Sequence, residues 1–215
     1  MAGIKTMRVR MAALAAWRRA LLLRDDTRGV SAVEFAMILP LMFLMFFGML
    51  DVSNGFAVDR KVSQISQGLA DLASRYTTLA ETDVSNFFII ADAMLTPYDK
   101  TQLKASISQV YIDPSTKIAK VVWTRGDFPI ATDAKGNPVV RKVNDIVSVP
   151  TDLIVKDANG NYLPNQYLIL GEANYKYVPT IGWVTSKGGV PLMNAMYTRP
   201  RQTSCVVMVT SCTPP

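Results

Sequence analysis

Val30-Ser31-Ala32-Val33-Glu34-Phe35-Ala36-Met37-Ile38-Leu39-Pro40-Leu41-Met42-Phe43-Leu44-Met45-Phe46-Phe47-Gly48-Met49-Leu50 is the stretch whose reading decides the architecture. From Phe35 to Leu50 no side chain is polar. As a helix, Val30 to Leu50 extends about 31 Å at 1.5 Å per residue, the thickness of a bilayer's hydrocarbon layer. A helix satisfies its own backbone hydrogen bonds, which lipid cannot do. A core helix of that length normally keeps a polar face. The stretch therefore reads as a membrane span, 30–50.

The flanks orient it. Lys5, Arg8, Arg10, Arg18, Arg19, Arg24 and Arg28 precede the run against only Asp25 and Asp26. Just beyond it, Asp51, Asp59, Arg60 and Lys61 nearly cancel. The excess of Lys and Arg before the span predicts a cytoplasmic N-terminus and a C-terminal part across the membrane. Of the net charge of +6, residues 1–29 carry +5 and residues 30–215 only +1. No basic patch is left for the folded part, so nucleic acid is not an expected partner. With no histidine in the chain, Ser-His-Asp and Cys-His catalysis and His-ligated zinc are excluded. No nucleophile motif or phosphate-binding loop stands out, and neither a metal nor a cofactor is expected.

Glu34 breaks the apolar pattern. A carboxylate near a span's end costs less than the ~2.5–3.5 kcal/mol it costs at mid-bilayer, yet it still calls for a partner. The plain alternative is an interfacial glutamate favoured by the helix N-terminus. Pro40 lacks an amide donor and should kink or locally melt the helix, although membrane helices also tolerate proline. Met37, Met42, Met45 and Met49 read as flexible apolar filler. The leader 1–29 interleaves Ala12 to Ala16 and Leu21 to Leu23 with arginines, as in a basic amphipathic helix. Asp25 and Asp26 argue against a mitochondrial transit peptide, and no small-residue cleavage motif follows the span as it would in a secretory signal.

Arg28-Gly29-Val30-Ser31-Ala32-Val33-Glu34-Phe35 combines a basic leader, a glycine, four residues, Glu-Phe and a long apolar run. It resembles the processing signal of type IV pilin-like proteins. With Ala36 to Pro40, Gly48 and Asp51 added, it is closer to the TadE-like proteins of the tight-adherence (Flp) pilus system. The resemblance covers about residues 24–60. It implies cleavage between Gly29 and Val30 by a prepilin peptidase on the cytoplasmic side. It also implies that Glu34, fifth in the mature chain and followed by Phe35, pairs with a neighbouring subunit's freed N-terminus. Expected partners are the peptidase, other pilin-like subunits, the inner-membrane pilus machinery and membrane lipid. The implied function is a non-catalytic, minor-pilin-like subunit in the bacterial inner membrane. The alternative is a single-pass anchored periplasmic binding or scaffold domain whose N-terminal motif is accidental.

Beyond Leu50 the residues Val58, Val62, Ile65, Leu69, Leu72, Tyr76 and Leu79 follow alternating spacings of four and three. This heptad stripe fits a helix packed on a globular head, or equally a coiled-coil dimer. Thr82, Asp83 and Ser85 offer caps for a second helix ending before Pro97, which gives an amphipathic helical region 51–96. Residues 97–215 read as a β-rich domain. Ser106–Ile112 and Lys117–Trp123 form a hairpin candidate around Asp113 to Thr116, and Tyr167–Val178 is the strongest late strand. Two glycine turns are expected, 133–137 and 157–161. The second resembles a calcium loop, but Gly160 falls at position 4 and Leu168 stands where the bidentate glutamate belongs. The fold class is thus α+β: a long N-terminal helix packed on an antiparallel sheet, as in pilins. In an oxidising compartment Cys205 and Cys212 should pair. A strand would hold them ~23 Å apart and a helix ~10 Å, so a bridge requires 206–211 to bend back.

Overall fold

The computed structural model describes residues 29–132, 138–179, 188–208 and 212. The chain divides into two compact units, Met1–Leu50 and Asp51–Pro215. A helix, α1 (Val30–Ser74), starts in the first and runs on into the second. The second unit adds α2 (Glu81–Leu95), β1 (Leu103–Ile112), β2 (Ala119–Gly126), β3 (Pro129–Thr132), β4 (Pro138–Val140), β5 (Ile146–Val147), β6 (Gln166–Tyr177) and β7 (Val190–Thr198). Five strands form an antiparallel sheet in the order β5-β2-β1-β6-β7, while β3 and β4 pair separately. The class is α+β, with the outer part of α1 packed on the sheet.

The sheet is buried on both faces, which its sequence period explains. In β1, Leu103, Ala105, Ile107 and Gln109 point to α1, whereas Val110 and Ile112 belong to a second apolar cluster behind the sheet. The register shift between Gln109 and Val110 leaves Val122 of β2 as the extra residue, and there β2 changes face: Ala119 and Val121 join the rear cluster, whereas Trp123 joins the cluster against α1. In β6, Ile169, Ala173 and Tyr175 face α1, while Leu168 and Leu170 face the rear. Rear cover comes from Val147, Val149, Leu153, Ile154, Tyr162 and Tyr197. With ten residues paired to β6 and seven to β2, β1 is the central strand.

On α1, Val58, Val62, Ile65 and Leu69 are buried against the sheet, and below them the face turns to Ser66, Ala70, Ala73 and Ser74. This differs from the heptad stripe. A straight α-helix drifts ~20° per heptad, so the buried face passes from Leu72, only half-buried, to Ala73 and Ser74. The helix stops at Ser74; Tyr76 and Leu79 lie outside it, although Leu79 is buried. Because the chain's own sheet fills this stripe, no room remains on it for a coiled-coil partner.

The cap of α2 also departs from expectation. Its N-cap is Ala80, whose N–H donates to the Asp83 carboxylate at 3.0 Å, so Thr82 and Ser85 lie within the helix. At the other end Lys61 Nζ donates to the carbonyls of Met94 (2.9 Å) and Thr96 (2.8 Å), which closes the last turn electrostatically. Arg125 of β2 grips Glu81 with Nε at 2.9 and 3.0 Å from its two oxygens. The hairpin β1–β2 forms, but β2 begins at Ala119 rather than Lys117. Lys117 adopts φ 60° inside the turn, and Asp113 anchors that turn by accepting from Ser115 N (2.8 Å) and Thr116 Oγ1 (2.8 Å). Near the C-terminus Val207 forms an isolated bridge, paired in parallel with Thr78.

Two glycines are required by space. A Cβ on Gly126, whose φ is +120°, would lie 2.2 Å from the Ala105 carbonyl oxygen. A Cβ on Gly171 would lie 2.2 Å from the carbonyl oxygen of Ser66 and 3.0 Å from the nitrogen of Ala70. Gly171 in β6 and the small residues Ser66 and Ala70 are therefore one device, the point of closest approach between α1 and the sheet.

Candidate functional site

The N-terminal half of α1 presents its side chains outward. Among residues 30–50 every one is exposed except Leu39 and Gly48, which are half-buried. At ~1.5–3 kcal/mol per large apolar side chain, leaving this run in water forgoes tens of kcal/mol. Its length and composition are those of a membrane-spanning helix. Pro40 sits inside the helix without ending it.

Gly29 is exposed immediately before the helix, with nothing within 4 Å of where a Cβ would stand. Val30 is the first helical residue, and Glu34 and Phe35 are exposed one turn on. Val30 and Glu34 are four apart and therefore share a face. Cleavage before Val30 would put an ammonium one helical turn, about 6 Å of axial rise, before the Glu34 backbone. Among the described residues no ion pair involves Glu34. The geometry leaves the peptide bond before Val30 accessible, and it leaves the carboxylate available to a charge from another molecule. The leader 1–28 lies outside the described residues.

Where α1 enters the second unit, Asp51 is buried and its carbonyl accepts from Tyr177 Oη at 3.0 Å. Burial, and then the Asp51 charge, push the Tyr177 phenol above its ordinary pKa. Asn194 Nδ2 of β7 donates to Asp59 Oδ1 at 3.1 Å, one further tie from this end of the helix to the sheet.

The C-terminal segment is a strap over the helix side of the sheet. A disulfide joins Cys205 and Cys212, with Cα atoms 6.0 Å apart. Gln109, wholly buried, receives the strap: its Oε1 accepts from Val206 N at 2.8 Å and its Nε2 donates to Cys205 Sγ at 3.1 Å. Trp123 Nε1 donates to the Val206 carbonyl at 3.0 Å. Leu79 N to Val207 O (2.8 Å) and Val207 N to Thr77 O (3.0 Å) complete the attachment. Arg201 pairs with Asp71.

Behind the sheet Arg141 Nε donates to Glu172 Oε2 at 3.0 Å, and Ser106 Oγ bonds the same oxygen at 3.1 Å. This buried pair ties the segment after β4 to β6. The roles of Gln109, Gly171, Arg141 and Glu172 do not follow from the linear pattern, since each matters through a residue 31 or more positions away. A polar residue amid apolar alternation, as Gln109 and Glu172 both are, is the one available signal. The 157–161 loop is a turn: Asp157 Oδ1 accepts from the backbone of Asn159 (2.9 Å) and Asn161 (2.8 Å), with Gly160 at φ +82°. It closes a single bridge, Lys156 with Tyr162, rather than joining two strands. The other expected turn, 133–137, lies outside the described residues, although the flanking β3 and β4 pair antiparallel. Among the described residues no group of three or more Cys, Asp or Glu is placed to hold a metal ion.

Residues 29–68 match the family model of the TadE-like proteins. No curated protein and no solved structure matches the chain. The match begins at the glycine before α1, covers the apolar run, and ends among the residues that bind α1 to the sheet.

Proposed function

From the TadE-like match over residues 29–68 we propose that this chain is a non-catalytic, minor-pilin-like subunit serving assembly of a tight-adherence pilus. It is held in the bacterial inner membrane by residues 30–50, with its N-terminus cytoplasmic and the Asp51–Pro215 unit in the periplasm. The single observation carrying this reading is the co-location of three features. An exposed Gly29–Val30 junction, a carboxylate one helical turn on and an outward-facing apolar run all fall within the matched residues.

A prepilin peptidase cuts after Gly29 and leaves Val30 as the new N-terminus. Glu34 then meets the ammonium of a neighbouring pilin-like subunit in a low-dielectric setting, which sets register between helices. Other pilin-like subunits and the inner-membrane machinery are the partners, and no cofactor is involved.

Mass determination of the protein from the membrane of its own host tests the reading. The mature chain should start at Val30, and Gly29→Arg should retain the 29-residue leader. Equal processing of Gly29→Arg refutes the cleavage. Glu34→Ala should remain processed and inserted but lose crosslinks to partner subunits. Unchanged crosslinking reduces Glu34 to an interfacial residue.

A further inference from the structure

The start of the Asp51–Pro215 unit carries an apolar surface that its own core does not use. On α1, Val52 and Phe56 are 58% and 67% exposed and stand four apart, on one face. At the end of β6 and the start of β7, Val178 and Val190 are 57% and 41% exposed. These two groups are held together. Tyr177 Oη donates to the Asp51 carbonyl, and the Tyr177 ring lies 3.5 Å from where a Cβ on Gly55 would be. Val178 follows Tyr177 in the chain, and Val190 is Tyr177's partner in the β6–β7 ladder.

We propose that this surface lies in the headgroup region of the bilayer spanned by residues 30–50, so that the periplasmic unit docks on the membrane. The inference rests on the anchoring part of the proposed function. Covalent continuity argues for lipid as the occupant: Asp51 directly follows the apolar run. A bilayer of ~40–45 Å with a ~30 Å hydrocarbon core leaves ~5–7.5 Å of interface on each side. Phe56, five residues beyond Asp51, is about 7.5 Å along the helix. Val52 and Phe56 therefore fall within the interfacial layer, and the Tyr177 side chain, held at Asp51 and Gly55, brings the end of β6 and the start of β7 beside them.

The charge pattern agrees. From Val52 to Val58 the chain carries no Asp, Glu, Lys or Arg. The one described cation beside the hairpin end is the exposed Lys176, whose stem would touch a Cβ on Gly189 at 3.1 Å. From this hairpin end its flexible stem can extend the ammonium to lipid phosphate. Other exposed apolar residues, such as Ile89 on α2, have no such tie to the end of the span.

The test places single nitroxide labels at Phe56→Cys and Val178→Cys in the full chain, with Cys205–Cys212 left bonded. The proteins are reconstituted in vesicles of phosphatidylethanolamine and phosphatidylglycerol. Collision rates with oxygen and with a water-soluble nickel chelate are measured. Ile89→Cys serves as the water reference and Leu44→Cys as the bilayer reference, while the unsubstituted chain should take up no label. The expected result is an oxygen-to-nickel ratio several-fold higher at Phe56 and Val178 than at Ile89, approaching that at Leu44. A ratio equal to that at Ile89 overturns the docking, as does suppression of both collision rates, which would mean cover by a second copy. A water-like Leu44 overturns the anchoring reading itself, and the docking with it.

Discussion

Replacing Gly171 by alanine tests how close α1 comes to the sheet. The new Cβ would stand 2.2 Å from the Ser66 carbonyl oxygen, 3.0 Å from Ala70 N and 3.1 Å from Ala70 Cβ. The first clash is with helix backbone, so no rotamer relieves it, and Ser66→Gly cannot rescue it. Reaching ordinary contact requires α1 and β6 to part by about 1 Å, and a radial gap of 0.5–1 Å forfeits a quarter to a half of each dispersion contact. Val62, Ile65 and Leu69 share that interface. Overpacking of this kind costs about 1–3 kcal/mol, and the backbone contact puts Gly171→Ala at the upper end. The smaller unfolded-state entropy of alanine returns only ~0.4–1 kcal/mol. A net loss of about 2 kcal/mol lowers Tm by ~4–8 °C for a unit of this size. Gly68→Ala is the contrast: a Cβ there meets only Met94 side-chain atoms at 3.8 Å, in a helix interior where alanine is favoured by up to ~1 kcal/mol. Near-ultraviolet circular dichroism of the full chain in detergent should show opposite shifts for the two variants. A Gly171→Ala protein that melts with or above the parent refutes the close approach.

Arg141→Met should destabilise the second unit by about 3 kcal/mol in urea titrations, because Glu172 would be left buried without its cation. Adding Glu172→Leu should recover most of that loss, and a double variant no better than the single one refutes the assignment. Cys205→Ser removes an eight-residue ring contributing about 2.5 kcal/mol by chain entropy. Amide exchange should accelerate at Val207 while β1 and β6 amides keep their protection, and uniform acceleration across the sheet contradicts a local role. The Ser115 hydroxyl first, then the backbone and Thr116, pull the Asp113 carboxyl down from 3.8 to about 2. A lowered acid favours the folded turn above its unfolded pKa and loses that contribution as pH falls through about 2. Carbon-detected titration should find Asp113 ionised at pH 3, and a midpoint near 3.8 refutes the turn geometry.

The apolar run 30–50, the Gly29–Glu34 spacing, the α+β order of elements and the β1–β2 hairpin could all be read from the chain itself. Each depends on residues within a few turns or one hairpin of one another, where periodicity and turn chemistry act directly. The heptad stripe gave the right face of α1 as far as Leu69 and then failed, since the helix's own 3.6-residue period, not the 3.5 of a supercoil, sets what meets the sheet. Whether that stripe met a second helix or a sheet was open in one dimension; folding decided it by bringing Ile107, Ile169 and Ala173 onto it. Gly171 beneath Ser66, Gln109 beneath Val206 and Arg141 against Glu172 were decided only by tertiary structure. Their meaning lies in a clash avoided or a buried hydrogen bond made between segments 31 to 105 residues apart, and local pattern holds no record of such pairs.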